Sequence, residues 1–150
     1  MPRLFTGEKK RSIYVSEEIR NLIVGAIDSN PEFPCAQADF EIGKFVRGNI
    51  IGVSRKHSSK AELKWLMNVP ESWVYCFRTP PPGWRLFGRF VRKNIFVGLN
   101  CAPRELCGDP VGYAKQASIA TERWDALFPN ELPFLAKDFE SYLGEMVIER

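Results

Sequence analysis

A chain of 150 residues, 45% hydrophobic and 26% charged, has room for a single globular domain over 1–150 and enough apolar material to bury a core, which excludes intrinsic disorder and two full-sized domains. No apolar run nears the ~20 residues that span a bilayer, and MPRLFTGEKKRS lacks the apolar stretch of a secretory signal; a cytoplasmic protein with no membrane partner is expected. A net charge of +3 is mildly basic, so an anionic partner has to be argued from local clusters.

Residues 1–11 read as a polar, frayed start, and Ile13-Tyr14-Val15 as a short strand. Ser16 reads as an N-cap, with Glu17 and Glu18 in the first turn, where the helix dipole favours acids. Ile19, Leu22, Ile23, Ala26 and Ile27 then form one apolar helix face, ended by Asp28-Ser29-Asn30-Pro31. Residues 36–55 fit two patterns: Ala38, Phe40 and Ile42 alternate as in a strand, and Phe45, Val46, Ile50, Ile51 and Val53 suit a second strand around Arg47-Gly48-Asn49, while the stretch up to Arg47 also suits a helix. We take 36–47 as helix. Arg55-Lys56-His57-Ser58-Ser59-Lys60 is a cationic loop. Ser59 is expected to cap a helix over 60–68 carrying Leu63, Trp65, Leu66 and Met67, closed by Pro70.

From 72 to 100 the pattern turns to strands. Trp73–Phe77, Trp84–Val91 and Ile95–Leu99 are separated by a proline-rich turn and by Arg92-Lys93-Asn94, where Asn94 tolerates positive φ. Asp109 and Pro110 start a helix whose apolar stripe is Tyr113, Ala117, Ala120, Trp124 and Leu127. A last helix from about Pro133 buries Phe134, Leu135, Phe139, Leu143 and Met146. Segregated strands and helices predict an α+β fold, a three-stranded antiparallel meander packed against several helices.

The middle strand concentrates positive charge. A period of two puts Arg85, Phe87, Arg89 and Val91 on one face and Trp84, Leu86, Gly88 and Phe90 on the other. With the second face in the core, the first offers two guanidiniums flanking an aromatic ring, which suits phosphate contacts with a base stacked on Phe87. Arg78 ends the preceding strand, and Arg92 and Lys93 occupy the turn. Arg55, Lys56 and His57 form a second cationic spot, where a histidine titrating near pH 6.5 could also serve acid–base chemistry. The competing reading is a solvated sheet face whose arginines pair with acids such as Glu62, Glu71 or Glu105.

Other chemistry finds little support. Cys35, Cys76, Cys101 and Cys107 include no C-x-x-C. The spacing of Cys101 and Cys107 fits no common zinc motif, and His57 is the only histidine, so buried reduced thiols are preferred to a metal site. No P-loop, G-x-G-x-x-G, H-E-x-x-H or G-x-S-x-G occurs, and no cofactor is expected.

The run LKWLMNVPESWVYCFRTPPPGWRLFGRFVRKNIFVGL, Leu63 to Leu99, resembles RelE/ParE-type toxin domains, in which a helix leads into an antiparallel meander with an aromatic–arginine middle strand. The resemblance covers about a quarter of the chain. It implies a small protein acting against translation or gyrase, held by an antitoxin, with Arg78, Arg85 and Arg89 at strand positions that bind mRNA in ribosome-dependent members. The two helices expected after the meander, and the lack of a counterpart for the usual catalytic tyrosine or histidine near the end, depart from that pattern. The expectation is thus a RelE/ParE-like toxin or descendant that binds RNA or the ribosome. The alternative is a non-catalytic inhibitor or adaptor, as from a phage or mobile element, that docks on a host protein or nucleic-acid complex through aromatic anchors such as Trp65, Trp73, Trp84 and Trp124.

Overall fold

A computed structural model describes residues 10–56, 58–66, 69 and 71–150. Most of the expected frayed start, and also His57, Met67 and Pro70, lie outside the described residues. Lys10 and Arg11 are held: both backbone N–H groups donate to the Val46 carbonyl.

Strand β1 (Ser12–Val15) leads straight into helix α1 (Glu17–Val24). The Ser16 hydroxyl accepts from the Ile19 N–H at 3.3 Å, and Gly25 closes the helix at φ 69°. Ile19 and Ile23 are its buried face. Helix α2 (Cys35–Val46) follows and buries Ala38, Ile42, Phe45 and Val46, so the helical pattern wins over the alternating one in this segment. Next come β2 (Ile51–Ser54), β3 (Leu63–Trp65), β4 (Trp73–Phe77), β5 (Trp84–Arg92) and β6 (Ile95–Pro103). Asn94 turns β5 into β6 at φ 65°. The chain continues as α3 (Arg104–Cys107), α4 (Pro110–Leu127), α5 (Phe139–Leu143) and β7 (Val147–Glu149). No helix among the described residues is long and apolar enough to cross a membrane.

The sheet corrects the expected architecture. In place of three antiparallel strands, seven form one mixed sheet, ordered β1-β6-β5-β4-β3-β2-β7 and curled into a half-barrel. β4, β5 and β6 pair antiparallel at its centre, and β3 joins β4 antiparallel. β1 adds parallel to β6, and β2 pairs parallel with both β3 and β7. The α+β reading falls with the meander, because parallel pairings add β1, β2 and β7 to the sheet, with helices packed on both its faces. The strands missed or left open are three or four residues long, too short to display a period of two.

Two helix expectations are corrected. Residues 63–65 are strand, since Lys64 and Trp65 pair with Val74 and Trp73 and the Trp65 ring stacks on Trp73 at 5.2 Å. The Ser59 hydroxyl accepts from Ala61 N in a local turn and caps no helix there. The last helix is confined to Phe139–Leu143. It leaves Leu135 and Met146 exposed, while Phe139 and Leu143 are buried.

Both faces of the sheet are covered. On one, α1, α2 and α5 bury a large apolar cluster with Ile42, Phe45, Trp73, Tyr75, Leu86 and Phe90. On the other, α4 lies over β5 and β6 and seals Val74, Phe87, Val97 and Leu99 with its stripe of Tyr113, Ala117, Ala120 and Trp124.

Candidate functional site

Strand alternation does place Arg85, Phe87 and Arg89 on one face, but α4 covers that face. Phe87 is fully buried, with its ring edge-on to Tyr113 at 5.8 Å, and no base can stack on it here. Arg89 is buried under the middle of α4. Its Nη2 donates to Thr121 Oγ1 at 3.1 Å, and its guanidinium lies 5.9 Å from the Trp124 ring centroid. The expectation of two guanidiniums facing water therefore fails, because α4 packs over that face.

Of the nine candidates, Phe87 and Arg89 are covered, His57 lies outside the described residues, and the other six fall in three places. Arg92 and Lys93 are exposed at the hairpin turn, seven residues along β5 from Arg85, or roughly 23 Å at ~3.3 Å per residue. Arg55 is a packing element: its guanidinium sits 4.8 Å from the Trp65 ring centroid and 4.4 Å from that of Phe139, pairs with Glu149 at 3.1 Å and donates to the Lys137 carbonyl. Lys56 beside it is exposed.

The third place is the opposite end of the sheet, where α4 begins. Cys76, Arg85 and Ala102 lie in one row across β4, β5 and β6. Arg78 follows β4, and Arg104 opens α3, its N–H donating to the Gly83 carbonyl. Asp109 caps α4 through the Gly112 N–H at 3.0 Å. A Cβ on Gly112 would collide with the Cys107 carbonyl, so only glycine lets α4 start this close to α3. That junction sets Tyr113, whose hydroxyl accepts from Arg85 Nε at 2.9 Å and whose ring lies 5.9 Å from the Arg104 guanidinium carbon. Lys64 approaches from β3. Burial holds its ammonium below the ordinary lysine pKa, and Arg78, Arg85 and Arg104 push it the same way against the Cys76 thiol.

Four cations thus share one end of the sheet. Among the described residues, Arg78, Arg85 and Arg104 make no ion pair with a carboxylate. Arg78 donates to the Ser59 carbonyl at 3.3 Å, Arg85 also to its neighbour Trp84's carbonyl at 3.0 Å, and Arg104 faces the Tyr113 ring. Lys64 and Arg85 are buried, while Arg78 and Arg104 form a half-buried rim. The Arg78–Ser59 bond also brings the loop bearing Lys56 and Lys60, both exposed, to that rim.

Sequence reading found Arg78 and Arg85 but missed Lys64, Arg104 and Tyr113. Lys64 was hidden in a segment read as helix, and Tyr113 was counted only as helix core. Arg104 lay past a strand read as ending at Leu99; the cue was the continued β pattern through Cys101 to Pro103.

Burial disfavours the thiolate form of Cys107 and Cys101. Burial pushes Cys107 up to about 11 despite Arg85 and Arg104, and raises Cys101 further. The two pack against opposite faces of the sheet, Cys101 with the α1/α2 core and Cys107 beside α4.

No family model, no curated protein and no solved structure matches this chain.

Proposed function

We propose that the protein binds RNA at the cationic end of its sheet, as a RelE/ParE-type toxin or a descendant of one. The observation that carries this reading is the convergence of Arg78, Arg85 and Arg104 with Lys64, the three guanidiniums forming no ion pair with a carboxylate among the described residues. Gathering like charges at one spot destabilises a fold. A phosphate among them offsets that cost through charge-assisted hydrogen bonds. The half-buried rim, Arg78 and Arg104, makes the contacts, and Lys64 and Arg85 strengthen the potential from behind. With Phe87 sealed, contacts fall on the phosphate backbone and discriminate little between bases.

The test is anisotropy of a labelled single-stranded RNA titrated between ~50 and ~200 mM salt. The two phosphate contacts of the rim give a slope of log K against log salt of about −1.4. Replacing both rim arginines, Arg78→Gln with Arg104→Gln, is expected to bring the slope close to zero. Binding that ignores salt, or a double variant that binds like the parent, contradicts the proposal. Growth arrest on expression, relieved by the same pair of substitutions, is expected of a toxin; RNA binding without arrest removes the toxin part and leaves the binding part.

A further inference from the structure

Beside the same end of the sheet, on the face covered by α1 and α2, lies a groove of about 520 Å³ between the α1–α2 connection and the β4–β5 turn. Six of its twelve lining residues are prolines, including the run Pro80–Pro82. Proline has no backbone N–H, so these walls offer carbon and carbonyl oxygen but no donor. Two other lining N–H groups are already spent within the loop: Phe33 N donates to the Asn30 carbonyl and Glu32 N to Asn30 Oδ1. Phe33 and Trp84 meet edge to face at 5.2 Å beneath, both buried, and fix the floor.

Two carboxylates line this groove, Glu32 and Glu105. Both are exposed, and neither is ion-paired among the described residues. The groove is therefore acceptor-rich, negative and apolar-walled. Its proline backbone is already restricted, so little conformational freedom is lost when a ligand seats. A ligand that satisfies it must be extended, rich in donors and positively charged. We propose that the groove docks an extended basic segment of a partner protein, with an arginine or lysine reaching the carboxylates of Glu32 and Glu105.

The proposal is independent of the RNA reading. Arg85 and Arg104 adjoin Trp84 and Glu105 in sequence, but Trp84 packs into the α1/α2 core and Arg85 meets α4's Tyr113. One site can fail without the other.

The experiment is a titration of ¹⁵N-labelled protein with a capped peptide, Gly-Pro-Arg-Pro-Arg-Gly, at low-millimolar concentrations. Saturable shifts are expected at the amides of Phe33, Gly83 and Trp84. The double variant Glu32→Gln with Glu105→Gln changes only exposed side chains; it is expected to keep its fold and weaken binding about tenfold. A peptide with citrulline for arginine should lose affinity similarly. Absence of saturable shifts there, or equal binding by the double variant or the citrulline peptide, overturns the proposal.

Discussion

Arg11 joins three parts of the chain that are distant in sequence, and its replacement by methionine is expected to cost a few kilocalories. Its guanidinium is buried and donates five hydrogen bonds to four backbone carbonyls: Leu143 twice, at 3.3 and 3.2 Å, Phe45 at 3.3 Å, Asn49 at 2.9 Å and Met146 at 2.8 Å. These carbonyls end α2 and α5 and lead into β7, where helix-end oxygens carry partial negative charge. Methionine has similar bulk and no donor. It orphans the buried Leu143 carbonyl, at a cost of about 1–3 kcal/mol, and removes one donor each from Phe45, which keeps the Gly48 N–H at 3.1 Å, and from Asn49 and Met146. The opposing gain is that a buried cation no longer has to be desolvated; burial already depresses the Arg11 pKa. The balance is a loss of about 2–3 kcal/mol, a large share of the ~5–15 kcal/mol that holds a domain together. Lysine keeps the charge but has one nitrogen where the guanidinium fork has three, and is expected to recover less than half of the loss. Urea unfolding at constant m-value reads both. An Arg11→Met variant within about 0.5 kcal/mol of the parent would show that the carbonyls find water or other donors, and the reasoning would be wrong.

Two further predictions concern ionisation. Burial raises the Glu41 carboxyl, and Glu62 adds to it, against Lys44 at 3.7 Å. A raised folded value means the fold favours the protonated acid, so that stabilisation is present at low pH and lost as pH rises through the folded pKa. Glu41→Gln keeps an acceptor for Gln37 and is expected to be more stable than the parent at pH 7, the advantage shrinking as pH falls into the ordinary carboxylate range; a less stable variant at pH 7 contradicts this. Cys107 has an ordinary value of 9.0 and is pushed up to about 11. Its contribution is complete below about pH 9 and disappears toward pH 11, as the unfolded thiol ionises first, a loss of about 2–3 kcal/mol. Tyr75, raised by burial, adds to the decline above pH 10. Urea midpoints should fall across this range, and less steeply in Cys107→Ala; a flat profile in the parent refutes the assignment.

What the sequence disclosed depended on how long each pattern ran. Ser16 with its two glutamates marks α1 unambiguously, and the stripe from Tyr113 to Trp124 marks α4, because several turns repeat the signal. The nine residues of β5 and the flanking runs of β4 and β6 also show their period. β3 and β7 do not, since three residues carry barely one alternation, and their pairing is decided by partners far along the chain. Lys64 is buried in β3 because Val74 lies opposite it, a relation no local window contains. The parallel edge pairings are likewise invisible, as they join Ser12 to Ile95 and Ile51 to Val147.

The basic strand shows where such a reading stops. Alternation assigns Arg85 and Arg89 correctly to one face, yet it says nothing of what lies above that face. Arg89 falls under the middle of α4 and becomes part of the packing, bonded to Thr121. Arg85 falls where α4 starts, and the chain that enters the helix brings Arg104 and Tyr113 to it. Two arginines four residues apart, equivalent by every sequence criterion, thus separate into a structural residue and a member of a cation cluster. The deciding variable is position along the covering helix: a face sealed along its length still keeps a cluster of cations at the edge where the cover begins.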